Sequence, residues 1–132
     1  MYYHPIRVYW EDTDAGGIVF YANYLKFFER ARTEWLRAKG VEQQALREAT
    51  GGMFVVSATE VQYHRPARLD DLLYVSAHPS HLGKASVTIQ QEARLGSPDG
   101  PLLASGSIRI GWITLDTMQP SRMPAQLLSA LA

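Results

Sequence analysis

The 132-residue chain is 46% hydrophobic and 20% charged, the balance of a single water-soluble domain long enough to bury one core. Thirteen basic residues offset thirteen acidic ones, which excludes the broad positive field that nucleic-acid or anionic-membrane binding draws on. The absence of cysteine excludes disulfides, a thiolate nucleophile and sulfur-ligated zinc, and suits a reducing compartment. No apolar run approaches the roughly 20 residues that a membrane span needs, and the first seven residues lack the pattern of a signal peptide, so the expected location is the cytoplasm.

In chain order, residues 6–10 combine β-branched and aromatic side chains and predict a first strand, closed by Glu11-Asp12-Thr13-Asp14-Ala15-Gly16-Gly17. The period then changes. Tyr24, Phe27, Phe28, Ala31, Trp35 and Leu36 recur at helical spacing with charged residues between them, which predicts a helix over 23–39 stopped by Gly40. A shorter helix over 41–50 ends at Gly51-Gly52. Beyond it the pattern is extended, with strands expected over 53–63, 72–78, 85–95 and 102–113. In 85–95, Ala85, Val87, Ile89, Ala93 and Leu95 alternate with polar residues. In 102–113, Leu102, Ala104, Ile108, Ile110 and Trp112 oppose Ser105, Ser107 and Arg109. The Gly/Pro-rich turn at 96–101 joins these two as a hairpin, and Pro124 opens a terminal helical turn running to 131.

This order predicts an α+β fold in one domain, 1–132, with a long helix packed on an antiparallel sheet of about five strands. One helix covers only one face of a sheet, so at least a dimer is expected.

Asp14 carries the chemical interest. It lies between a strand and a helix start, where unpaired backbone N–H groups and a partial positive charge stabilise a developing oxyanion. Gly16 and Gly17 permit close approach of backbone or ligand, and Ile18-Val19-Phe20-Tyr21 supplies an apolar wall. The plainer reading is that Asp12, Thr13 and Asp14 cap a turn. A hard-cation site from Glu11, Asp12 and Asp14 fits poorly, because alternation along an extended chain points Glu11 away from its neighbours. His4, His64, His78 and His81 are scattered. Nucleophile-elbow, phosphate-loop and dinucleotide motifs are absent, so serine-triad, NTP and nicotinamide chemistry lack their usual signals. The basic stretch from Tyr63 to Asp71 reads equally as a ligand patch or as turn chemistry around Pro66.

The run Asp12-Thr13-Asp14-Ala15-Gly16-Gly17-Ile18-Val19-Phe20-Tyr21-Ala22-Asn23-Tyr24, continuing through Glu29-Arg30-Ala31-Arg32-Thr33-Glu34 and again through Tyr63 to Leu73, resembles the 4-hydroxybenzoyl-CoA thioesterase-like family, especially its YbgC branch. The resemblance implies a hotdog fold, in which a sheet wraps a long helix and subunits pair as dimers or tetramers. It implies acyl-CoA hydrolysis without cofactor or metal, with Asp14 as nucleophile or general base and the backbone N–H of Tyr21 polarising the thioester carbonyl. Gly17 falls within the substrate-binding loop, and Lys84 with Ser86 resembles the phosphate-contacting region. Many YbgC-branch members have histidine where this chain has Tyr21, so an imidazole role does not transfer. Met53 and Phe54 are expected to shape the acyl pocket, and the thioester donor is CoA or an acyl carrier protein. A hotdog hydratase is the near rival, although it wants a histidine that the Asp14 region lacks. A non-catalytic acyl-CoA or carrier-protein binding module is the rival outside enzymes.

Overall fold

The computed structural model describes all residues from Met1 to Ala132. Its elements are strand β1 (Tyr2–Arg7), helix α1 (Tyr24–Ala38), helix α2 (Gln43–Thr50), strands β2 (Gly52–Tyr63), β3 (Leu72–Leu82), β4 (Ser86–Leu95) and β5 (Leu102–Thr114), a short β6 (Gln119–Pro120) and helix α3 (Ala125–Leu131). All pairings are antiparallel, in the order β1-β3-β4-β5-β2, and β6 adds to the far end of β5. No helix is long and apolar enough to cross a membrane.

The alternation read in the sequence sets the buried face. Leu73, Val75 and Ala77 of β3, Val87, Ile89 and Ala93 of β4, and Ile108, Ile110 and Trp112 of β5 are buried under α1, which contributes Phe27, Phe28, Ala31, Trp35 and Leu36. Burying each large apolar side chain contributes about 1.5–3 kcal/mol. Gly106 is what lets the helix settle: a Cβ there would lie 3.0 Å from the Phe28 ring. Leu127 and Leu131 of α3 join the same core, so the expected terminal turn is a packed helix.

The first strand is a correction. It covers Tyr2–Arg7 and not residues 6–10, and Trp10–Asp12 forms a 3-10 turn. Pro5 argues against a strand in a sheet interior, but β1 is an edge strand, where a missing donor is tolerated. Trp10 leaves the strand because the Asp12 carboxylate accepts the Tyr9 N–H at 2.8 Å, a local side-chain bond that competes with the ladder.

The face left uncovered by α1 carries Ser105, Ser107, Arg109, Gln90 and His78, which are polar and half-buried or exposed. It tolerates water. The case for assembly therefore rests on the open edge of β2, twelve residues long, and not on an unpaired apolar face.

Candidate active site

The loop between β1 and α1 is a small hairpin. Thr13 bridges Val19, the Asp14 N–H donates to the Ile18 carbonyl at 2.9 Å, and the Gly17 N–H returns to the Asp14 carbonyl at 3.0 Å. Gly17 has φ +78°, a conformation that residues with a Cβ rarely adopt, so glycine is built into the turn. The loop docks on the 67–68 segment, where Val19 donates to the Ala67 carbonyl at 2.9 Å and Ile18 bridges Arg68.

The acidic cluster divides its labour. Asp12 is buried, and its carboxylate accepts Tyr9 N–H and Asn23 Nδ2–H, each at 2.8 Å, while its carbonyl accepts Phe20 N–H at 2.9 Å. Asp12 therefore fastens the loop to the start of the helix, which is the capping role foreseen as the plainer reading. Asp14 is exposed, and its Oδ1 accepts the Gly16 N–H at 2.8 Å. Glu11 also faces solvent, so the three acids do not gather around a cation.

Tyr21–Asn23 forms a 3-10 turn that leads directly into α1, and the amides that open a helical segment have no acceptor inside it. Tyr21 and Tyr24, at this opening, help to line a groove of about 350 Å³ with Ile18, Val19, Tyr63, His64, Arg65 and Pro66. Asp14 does not line this groove within one subunit, although the carbonyl of its partner Ile18 belongs to a lining residue. A larger hollow of about 550 Å³ lies between α2 and α3, but its acid, Glu42, lies 3.7 Å from Arg37 and offers no free base.

Lys84 and Ser86 sit at the other end of the sheet. Strands rise about 3.3 Å per residue, so the length of β4 puts about 30 Å between Ser86 and the sheet end that carries the Asp14 loop. Lys84 is exposed, and Ser86 Oγ accepts Arg109 Nη2 at 3.3 Å, while Arg109 Nη1 reaches Ser57 Oγ at 3.2 Å. The structure thus brings Gly17, Tyr21 and Asp14 into one loop–helix junction and leaves Lys84 and Ser86 apart from it. Phe54 stacks edge-on with Trp112 at 5.1 Å, and Met53 and Phe54 likewise lie at the Lys84 end of the strands.

The contacts among the groove tyrosines escaped the sequence reading because Tyr63 is distant in the chain from Tyr21 and Tyr24. Tyr63 Oη donates to the Tyr21 carbonyl at 2.9 Å, and its ring meets that of Tyr24 at 5.6 Å. Burial is the main reason that the Tyr24 hydroxyl is pushed up to about 12, a backbone hydrogen bond from Ala67 partly offsetting it and Tyr63 and Asp71 adding to it. A phenol whose native value lies above its unfolded value of about 10 contributes stability that is complete below pH 10 and is lost as pH rises toward 12. Denaturant titrations at pH 8 and pH 11 are expected to show a loss of about 1–1.5 kcal/mol from this residue, and Tyr24→Phe should remove that component. An equal loss in the variant would show that Tyr24 is not its source.

Residues 16–101 match the thioesterase superfamily, a segment that includes Gly17, Tyr21, Lys84 and Ser86. The chain belongs to that superfamily. It is 39% identical over 126 residues to the acyl-CoA thioesterase YbgC of Haemophilus influenzae, covering 96% of this chain and 90% of that one. The acyl-CoA thioester hydrolase YbgC of Escherichia coli O6:H1 is 38% identical over 125 residues, covering 95% and 91%. Among solved structures, Slr0204, a 1,4-dihydroxy-2-naphthoyl-CoA thioesterase from Synechocystis, superposes with a TM-score of 0.89 over 98% of this chain and 93% of its own at 19% identity. The fold is the hotdog fold of these thioesterases, as the resemblance implies.

Proposed function

We propose that the protein is a cytoplasmic acyl-CoA thioesterase that splits a thioester into free acid and CoA. The observation that carries this reading is the junction of Asp14, Gly17 and the Tyr21 amide beside an apolar groove, in a chain of the thioesterase superfamily. The amides at the opening of the helix draw charge onto the thioester oxygen as the carbonyl carbon becomes tetrahedral. Asp14 either adds its carboxylate to that carbon or takes a proton from the water that adds. Collapse of the oxyanion breaks the C–S bond, and the departing thiolate takes up a proton. Thiolate is a far better leaving group than alkoxide, so a carboxylate and two amides suffice without a histidine-activated serine.

Assembly completes the site in this reading. Asp14 is exposed in the isolated subunit, the groove is open on one side and β2 presents an unpaired edge, so a second copy pairs at β2 and encloses the substrate. Light scattering at micromolar concentration should give twice the chain mass or more, and a pure monomer would count against the closed site. With Lys84 and Ser86 at the far end of the sheet, their contact with CoA phosphates is made to a ligand held by a neighbouring subunit.

The exposure of Asp14 and its bond to Gly16 favour one competing reading, a module that binds acyl-CoA or acyl carrier protein without hydrolysing it. Thiol release from short aliphatic, long aliphatic and aromatic acyl-CoAs separates the two. Release from at least one of them, abolished by Asp14→Asn, supports the enzyme, whereas binding without release supports the module.

A further inference from the structure

Tyr63 ends β2 and is 48% exposed, yet its hydroxyl is committed to one partner, the Tyr21 carbonyl at 2.9 Å. That carbonyl and the Ala22 N–H belong to the same peptide plane, inside the turn that opens the long helix. The Tyr63 ring is held from two sides, edge-on to the Tyr24 ring at 5.6 Å and to the Tyr21 ring at 6.2 Å. Tyr24 is itself buried against Phe27 and Phe28, so the anchor traces back to the core.

A donor on a peptide oxygen draws electron density from the N–H of the same plane, which makes that N–H a stronger donor. It also fixes that plane, so the Ala22 N–H need not reorient when charge develops in front of it. Burial, with the neighbouring Tyr21 adding to it, raises the Tyr63 hydroxyl above the ordinary phenol range.

We propose that Tyr63 is a positioning residue for thioester hydrolysis: it grips and polarises the peptide between residues 21 and 22, so that the amides opening the helix meet the thioester oxygen in its tetrahedral state. The inference deepens the thioesterase reading and rests on it.

Tyr63→Phe keeps the ring contacts and removes only the hydroxyl. With propionyl-CoA and benzoyl-CoA as probes, kcat should fall about tenfold while KM stays within about twofold, the pattern of an interaction that strengthens in the transition state. The thermal midpoint should not change. A second readout uses benzoyl-CoA bound to the Asp14→Asn variant: its carbonyl stretch should move back toward the solution frequency when Tyr63→Phe is added. An unchanged kcat and carbonyl stretch, or a lower kcat accompanied by a lower thermal midpoint, would overturn the inference while leaving the thioesterase reading intact. A wild-type protein that releases no CoA from either probe would bring down that reading, and this inference with it.

Discussion

Asp14→Asn is expected to lower kcat on acyl-CoA about a thousandfold, with little change in KM or in thermal stability. The carboxylate is exposed, and its one intramolecular bond, from the Gly16 N–H, is kept by the asparagine oxygen, so the fold has no reason to notice the exchange. What asparagine lacks is the ability to accept a proton or to attack a carbonyl. Steady-state thiol release over a range of substrate concentrations checks the split. Asp12→Asn should behave in the opposite sense: the buried carboxylate joins Tyr9 to Asn23, so its loss should appear in folding before it appears in turnover. Equal kcat values for wild type and Asp14→Asn would remove Asp14 from the chemistry.

The largest effect on stability is expected at Gln91. This residue of β4 is 1% exposed and interrupts the apolar face of its strand. Its Nε2 donates to the Phe28 carbonyl at 3.0 Å and the Ser76 carbonyl at 3.2 Å, and its Oε1 accepts Arg32 Nη1 at 3.0 Å. The amide thereby ties the long helix to two strands and supplies a partner to a guanidinium whose charged form burial already disfavours. Leucine has similar bulk and is more apolar, so a hydropathy argument predicts that Gln91→Leu stabilises. Because the change strips a partner from a buried charge and from backbone carbonyls at once, the expected result is a loss of about 3 kcal/mol in urea unfolding. Gln90→Leu, on the polar face one residue earlier, should stay within about 0.5 kcal/mol. A neutral or stabilising Gln91→Leu would show that the buried network is dispensable.

The residues that announced themselves in the sequence are those whose neighbours lie close along the chain. The helical recurrence from Tyr24 to Leu36 and the alternation around Val87 and Ile108 gave the right elements because burial repeats with a fixed period. Residues 6–10 misled because four β-formers outweighed, on paper, a single carboxylate three residues ahead of Tyr9. Pro5 fits the observed strand only because β1 lies at an edge, a property of the sheet that is invisible in the strand alone. The placement of Asp14 and Tyr21 at one loop–helix junction was legible from the loop–helix transition and the family resemblance, whereas the separate duty of Asp12 was not. Nothing local distinguishes a buried aspartate from an exposed one two positions away. Tyr63 was silent for the same reason, being 42 residues from the carbonyl that it holds. Gln91 falls on the inward parity of an alternating strand as a polar exception, and only the packing of α1 shows which groups its amide holds.

The crystal structure of the assembled protein with a non-hydrolysable acyl-CoA analogue tests the central claim most directly. The account predicts the analogue's carbonyl oxygen at about 2.7–3.1 Å from the amide of Tyr21 or Ala22, and an Asp14 carboxylate oxygen about 3–3.5 Å from the carbonyl carbon. A carbonyl seated in the hollow between α2 and α3, or one that no Asp14 of any subunit approaches, would contradict it.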